Sequence, residues 1–366
     1  MDVPYVDLAA GYRGLKEEID EAVLSVLASG AYVLGGNLAA FEDEFASWVG
    51  TSHAVGVGSG TDALYLTLKA LAIGAGDEVI TVSHTAVNTA LSISKAGATP
   101  VFIDIEADTY CLDPAGLEAA LSEKTKAVIP VHLYGHPVNM DPVLDFAEKH
   151  GLFVVEDCAQ AHGAAFNGRS VGTMGVAGCF SFYPTKNLGA CGDGGAVTTD
   201  DSDLAARIRS LSNCGQGSER YRNIYRGEVS RLDELQAAIL RVKLKVLDHA
   251  TERRRQVADY YRKNLNGVLN LPVEKGWARH VYHLYVIRSP QRGELQAFLA
   301  RCGVQTLVHY PVPAHLQPAY ADAAAASLPV TGQAVHEILS IPIFPEISEA
   351  QLQAVVLALR EFVAQT

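Results

Sequence analysis

Positive charge is scarce in this chain. Its 366 residues carry 29 Lys and Arg against 41 Asp and Glu, a net charge of -12. A surface of that sign repels a phosphate backbone, so no nucleic-acid partner is expected. Long apolar runs are missing as well: no segment approaches the ~18 uninterrupted apolar residues of a membrane span. The opening MDVPYVDLAAGYRGLKEEID has neither the basic start nor the apolar stretch of a secretory signal. Neither a membrane location nor secretion is expected from these signals. The six cysteines (Cys111, Cys158, Cys179, Cys191, Cys214, Cys302) form no CxxC pair. That excludes a disulfide scaffold and points to a reducing cytoplasm; no metal is expected. No repeat and no low-complexity tract stands out, the run Ala323–Ala326 being short.

What is present is apolar content, 49% of residues, enough to fill the cores of roughly two domains on a prior of about 150 residues each. Between Ala54 and Ser212 short β-branched runs alternate with longer amphipathic ones, the signal of βαβ units and a mostly parallel sheet. The clearest strands are HAVGVG, EVITV, TPVFIDI, KAVIPVH, LFVVED, CFSFY and GAVTT, with helices such as TDALYLTLKAL and MDPVLDFAEKH between them. The last two strands have no helix between them. Ligands gather at the carboxyl ends of such strands. A long helical stretch from Arg231 to about Leu265, apolar at Leu232, Leu235, Ile239, Val242 and Val246, leads away from the sheet. The domain boundary is placed inside it, giving a large domain over 1–245, N-terminal helix included, and a small α+β domain over 246–366. The small domain contains the strand pattern HVYHLYVIR and the helices ELQAFLARCG and EAQLQAVVLALREFV.

Four features sit where chemistry is expected. In GVGSGTDAL a strand runs into glycines and a helix is expected to begin at Thr61 or Asp62; bare amides at such a start bind phosphate. The spacing Gly58-x-Gly60-x-x-Ala63 also meets a loose dinucleotide fingerprint. Its acid should end the second strand, however, whereas Asp77 and Glu78 precede EVITV. A plain strand-helix turn accounts for this segment equally well. In LFVVEDCAQAHGA, Asp157 follows an apolar strand and Gln160 lies three residues on. A carboxylate there can keep a pyridinium protonated so that the ring accepts electrons, or it can simply cap a turn. In FSFYPTKNLGACGDGG, Lys186 lies in a glycine-rich, weakly charged loop where an amine loses its charge more easily than in water. Ser181 adds a hydroxyl able to bind phosphate. Finally, LVHYPVPAHLQPAY carries His309, Tyr310 and His315 among prolines, as a substrate wall or as a structural loop.

Taken in order, SGTDAL, GDEVI, VHLYGHP, EDCAQAHGA, FSFYPTKNLGACGDGG and RLDELQAAIL resemble the sugar aminotransferases of the DegT/DnrJ/EryC1/StrS family across nearly the whole chain. The resemblance implies an α/β, aspartate-aminotransferase-like fold (fold type I), with a mostly parallel seven-stranded sheet and a small C-terminal domain. It implies pyridoxal 5'-phosphate held as a Schiff base by Lys186, with Asp157 at the pyridine nitrogen and Gln160 near the ring hydroxyl. Gly60, Thr61 and Ser181 match phosphate-binding positions. SHTAV, VHLYGHP and YPTKNLGA look like the branch acting on dTDP-3-keto-6-deoxyhexoses, which implies that Tyr183, His309 and Tyr310 face the sugar. Glutamate is then the expected amino donor, and a homodimer with shared active sites the expected assembly.

Two positions depart from the family pattern. Val229, in Gly227-Glu228-Val229-Ser230-Arg231, stands where relatives carry an Asn that reaches the phosphate across the dimer interface. Ala86 stands where many carry an aromatic ring that stacks on the cofactor. Lower cofactor affinity is expected from both. Core motifs report cofactor rather than acceptor, so a 4-keto sugar or a keto-cyclitol remains an alternative acceptor. A dehydratase is disfavoured because related dehydratases replace the lysine by histidine. A non-catalytic regulatory protein of the same fold is the reading from another class.

Overall fold

The computed structural model describes residues 2–219, 221–321 and 327–365, which leaves the Ala323–Ala326 run outside the described residues. The short apolar runs form β1 (His53–Val57), β2 (Glu78–Val82), β3 (Thr99–Ile103), β4 (Thr125–Ile129) and β5 (Phe153–Asp157). A hairpin of β6 (Ala165–Phe166) and β7 (Arg169–Ser170), too short to leave a periodic signal, precedes β8 (Ala177–Ser181) and β9 (Gly195–Thr199). The seven-stranded sheet has the order β1-β9-β8-β5-β4-β2-β3. Its pairs are parallel except those of β9, which runs against both β8 and β1.

That single reversal positions the chemistry. Parallel neighbours need crossover connections, here including the helices Gly60–Ala70, Asn88–Ala96 and Met140–His150. An antiparallel pair needs none, so the 182–194 connection stays at the carboxyl end of β8 and keeps Lys186 on the ligand side. Both sheet faces are covered: Val79 packs among Val55, Leu66 and Ile93, while its neighbour Ile80 packs among Phe41, Phe45 and Phe180. Burial on both faces is why the strands read as continuous apolar runs, each buried Val, Leu or Ile contributing about 1.5–3 kcal/mol.

Three local expectations are corrected. The first helix after β1 begins at Gly60 rather than at Thr61 or Asp62, because the Ser59 hydroxyl caps it, accepting from the Asp62 amide at 3.1 Å. The helical stretch 231–265 is two helices, Glu234–Leu244 and Leu247–Leu265, and Val246 (φ -112, ψ 1) leaves helical geometry between them. The first buries its apolar side with helices Lys16–Ser29 and Gly36–Val49, whereas the second sends Val257, Tyr261 and Leu265 into another core. One straight helix cannot serve both. Of HVYHLYVIR only the end is strand: β10 (Ala278–Arg279) precedes it, and β11 (Tyr285–Arg288) pairs antiparallel with β12 (Ile338–Ile341). The first half spends its amides on a turn of the large sheet, Val281 on the Gly135 carbonyl (3.0 Å) and Leu284 on that of Tyr134 (3.2 Å).

Helices Arg292–Arg301 and Glu349–Gln365 complete the C-terminal core, where Tyr261, Tyr285, Leu299, Ile341 and Leu359 are buried. Val3 joins that core too, its amide bonding the Gly303 carbonyl at 2.8 Å. No described helix is long and apolar enough to cross a membrane.

Candidate active site

The carboxyl ends of β1, β2, β5 and β8 open on a cavity of about 620 Å³, the expected ligand position in such a sheet. Its walls include Gly60, Thr61, Asp157, Gln160, Ser181, Tyr183, Lys186, His309 and Tyr310. Residues spread over 250 positions of sequence, from Gly60 to Tyr310, therefore meet around one space. His315 lies outside that wall; it is buried against Ser83, whose hydroxyl its Nδ1 meets.

Lys186 is half-buried, opening on the cavity from a loop that doubles back tightly. A Cβ on Gly189 would lie 2.4 Å from the Pro184 carbonyl oxygen, so that return requires glycine. No described carboxylate lies within ion-pair reach of Nζ. Burial pushes the ammonium down to about 8, against the upward pull of the Asp157 charge. The amine is thus partly free at neutral pH, as a nucleophilic lysine must be.

Asp157 ends β5, its backbone tied to the Pro130 carbonyl (2.9 Å) and the His132 amide (3.1 Å). Its carboxylate accepts from the Thr89 hydroxyl at 2.8 Å and the Ala159 amide at 3.1 Å. Burial raises its pKa, while those two donors and the Lys186 charge hold it down. A buried carboxylate short of a full counter-charge suits a cationic ligand.

At the start of helix Gly60–Ala70 a Cβ on Gly60 would come within 2.6 Å of the Ser181 Cβ. Only a glycine leaves the helix amides and the Ser181 hydroxyl side by side, a cradle for an anion. Asn88 donates to the Thr61 hydroxyl at 2.8 Å and fixes it there.

The opposite wall is held by a network. Gln160 accepts from the Tyr134 amide at 2.7 Å and donates to the Tyr310 hydroxyl at 2.9 Å. The Tyr134 hydroxyl donates to the His309 carbonyl and meets His84 Nε2 at 2.7 Å. His84 must then be the donor through Nε2, and burial pushes it down to about 4, so it stays neutral. His309 meets the Ser340 hydroxyl through Nδ1 at 2.9 Å; burial first and the Lys186 charge second push it down to about 4. Burial pushes Tyr310 up to about 12. Tyr183 stands at the mouth, 53% exposed.

Of the two departing positions, Ala86 does line the cavity. Val229 does not; it is 67% exposed on the outer surface, bridged to Asn213. His132, Glu156 and Cys158 also meet, buried, behind Asp157. His132 Nε2 is on Glu156 at 3.1 Å and its Nδ1 accepts the Val138 amide, while Glu156 takes the amides of Gly172, Met174 and Gly175. Those ligand atoms are occupied in bracing the strand. Thr89, Tyr134, Arg254 and Tyr5 belong to the site or its support and were not singled out by sequence. Nothing local marks them, since each contacts the site across a long stretch of chain.

A mostly parallel seven-stranded sheet with one reversed strand, a half-buried lysine after that reversal and a buried aspartate at a neighbouring strand end define an aspartate-aminotransferase-like α/β enzyme. Comparison narrows the class. The DegT/DnrJ/EryC1/StrS aminotransferase family matches residues 14–360, and the chain belongs to it. It is 49% identical, over 98% of its length and 99% of the relative's, to the erythromycin biosynthesis sensory transduction protein EryC1 of Saccharopolyspora erythraea. Identity is 47% to the dTDP-3-amino-3,4,6-trideoxy-alpha-D-glucose transaminase of Streptomyces venezuelae, over 98% and 96% of the two chains. The crystal structure of S. venezuelae DesV in complex with a ketimine intermediate superposes with a TM-score of 0.97 at 47% identity, covering 100% of this chain and 99% of that one. Other structures of this fold were solved in pyridoxamine- and pyridoxal-phosphate forms.

Proposed function

We propose that this aminotransferase moves an amino group from an amino acid, glutamate first, to a nucleotide-linked keto-sugar of the dTDP-3-keto-6-deoxyhexose type. The observation that carries this reading is the pairing in one cavity of a lysine pushed down to about 8 with a buried aspartate that makes no ion pair among the described residues. The residues fit pyridoxal 5'-phosphate: the Gly60 cradle with Thr61 and Ser181 suits its phosphate, and the buried Asp157 suits its pyridinium. When bound, that group supplies an electron sink for charge developing at the amino acid's α-carbon.

The protein's part follows from the geometry. Lys186 would hold the cofactor through its unprotonated Nζ and, when free of it, would be placed to move the proton at the donor's α-carbon; general acid-base help of this kind contributes ~10²–10⁴-fold. Asp157, oriented by Thr89 and Ala159, holds the proton on the pyridine nitrogen. Gln160, which fixes Tyr310, would hold the ring hydroxyl. Tyr183, His309 and Tyr310 orient the sugar, His309 as a neutral imidazole.

Ala86, on the cavity wall, would offer a bound ring no aromatic surface of its own. Val229 faces outward, so its effect falls on a second copy of the chain. An isologous homodimer with shared sites is supported by the exposed apolar side chains of Leu34, Ile224 and Tyr225, which line one surface groove together with Asn213, the residue bridged to Val229. The division at 245/246 is supported by the helix break at Val246, and a reducing cytoplasm by free cysteines throughout.

The test is the visible spectrum of the protein supplied with pyridoxal phosphate. A lysine-bound cofactor gives a yellow band that glutamate removes and a dTDP-3-keto-sugar restores. Restoration by a 4-keto sugar or keto-cyclitol alone moves the acceptor; no band and no response to glutamate establish the non-catalytic reading.

A further inference from the structure

We infer that Arg254 and Tyr5 form the subsite that takes the α-carboxylate of the amino donor. The inference rests on the transaminase reading above. Arg254 lies on helix Leu247–Leu265, 6% exposed, and lines the same cavity as Lys186. Its hydrogen bonds all leave from Nη1: 2.8 Å to the Ile343 carbonyl, and long ones of 3.4 and 3.5 Å to those of Tyr282 and His283. Among the described residues Nε and Nη2 donate to nothing, and no carboxylate lies within ion-pair distance of the guanidinium, although the Glu346 charge acts on it from farther off. A buried cation without a carboxylate in contact is costly, and this one lies beside a cavity able to admit a counter-ion.

The second feature is independent of the first. The Tyr5 hydroxyl is buried on the same wall without a well-formed hydrogen bond; Ser340, whose hydroxyl also meets His309 Nδ1, is close enough to act on it. Tyr5 comes from the N-terminal segment that Val3 anchors to the C-terminal core, so a remote stretch of chain is held against the cavity. The two side chains are close enough for the guanidinium charge to act on the phenol. Together they offer a planar cation and a hydroxyl, the donor set that suits a carboxylate.

Other anions fit less well. The cofactor phosphate has its cradle at Gly60. The diphosphate of a sugar nucleotide is separated from a C3 keto carbon by part of the sugar ring. A donor's α-carboxylate is one bond from the carbon whose proton Lys186 must move, and His283, whose carbonyl Arg254 holds, feels both the Lys186 and Arg254 charges.

The experiment uses the full chain with Tyr5→Phe, Arg254→Gln and Arg254→Lys. Glutarate affinity is measured by calorimetry on the cofactor-free protein, and KM for glutamate, alanine and the keto-sugar on the loaded enzyme. Arg254→Gln is expected to raise KM for both amino acids and weaken glutarate by about 10–100-fold, the size of a hydrogen bond to a charged group. Arg254→Lys recovers part of this, and KM for the keto-sugar stays put. Tyr5→Phe removes only an unsatisfied hydroxyl, so it folds even if Arg254→Gln does not, and is expected to weaken glutarate and both donors by a smaller factor, about 3–10-fold. Unchanged donor KM and glutarate affinity in Tyr5→Phe, a rise in keto-sugar KM alone, or an effect on glutamate without one on alanine each overturn the assignment. If wild-type enzyme aminates no keto-sugar, the transaminase reading fails, while glutarate binding still reports on the subsite.

Discussion

The two ends of the cavity are built differently. The end proposed for the cofactor comes from strand termini of one sheet, where Asp157, Ser181 and Gly60 are held by backbone hydrogen bonds and close packing. The end proposed for the substrates is assembled from loops and from the C-terminal core: Tyr134 meets His309 across 175 positions of sequence, and Gln160 meets Tyr310 across 150. Rigid strand ends suit a group that stays bound, whereas a wall joined by a few side-chain bonds can be altered one contact at a time. The contrast teaches that chemistry and acceptor choice should be separable by mutation.

The sharpest break in the comparison is Lys186→Ala at the cofactor end. Turnover should fall by ~10⁴-fold or more, the upper range of acid-base catalysis, and the yellow band should vanish while the fold persists by circular dichroism. Asp157→Asn keeps the shape and removes the charge; kcat should fall ~10²–10³-fold, the loss typical of one preorganised electrostatic group, with acceptor KM little changed. Gly60→Ala drives a Cβ into Ser181. Its overpacking cost of about 1–3 kcal/mol should appear as pyridoxal phosphate affinity weakened by roughly 10–100-fold in a titration.

At the other end, Tyr134→Phe leaves the His309 carbonyl and His84 Nε2 without their shared partner. A loss of about 1–3 kcal/mol in thermal or urea unfolding is expected, together with a raised KM for the keto-sugar and unchanged cofactor affinity. An equal loss of cofactor affinity would erase the distinction between the two ends. The smallest effect is one of pH. Folded Lys186 titrates near 8 rather than at its ordinary 10.5, so between those values the unfolded chain keeps a proton that the folded chain has released. In the cofactor-free protein Lys186 therefore makes stability rise with pH from about 8 to 10.5, by at most ~1.4 kcal/mol per unit. Cofactor uptake should likewise accelerate through about pH 8. Uptake that follows a midpoint near 10.5 would mean the loop does not enclose the amine.

Legibility followed the range of the forces involved. The strands of the sheet were readable because burial on both faces writes a continuous apolar run; the missing helix before GAVTT was readable too, and the structure shows that it marks a reversed strand. Lys186, Asp157 and the Gly60 turn were readable because their surroundings are local. The break at Val246 was not, since the periodicity continues through it and only the demand of two separate cores bends the chain. Half of HVYHLYVIR was misread as strand because its amides serve a turn about 150 residues away in sequence. Val229 reads as a departure from the family pattern, yet only the fold shows that it points out of its own cavity.

By itself the sequence determined the class of fold, the family and residues that line one end of the cavity, since apolar period, strand-end acids and glycine-rich turns are short-range properties. The tertiary structure decided the wall. It set His309 and Tyr310 on the Tyr134–Gln160 network, and it brought a buried Arg254 and an unsatisfied Tyr5 hydroxyl to the same space. Which distant polar groups meet, and which are left without partners, depends on how the C-terminal core docks on the sheet, and no local pattern records that.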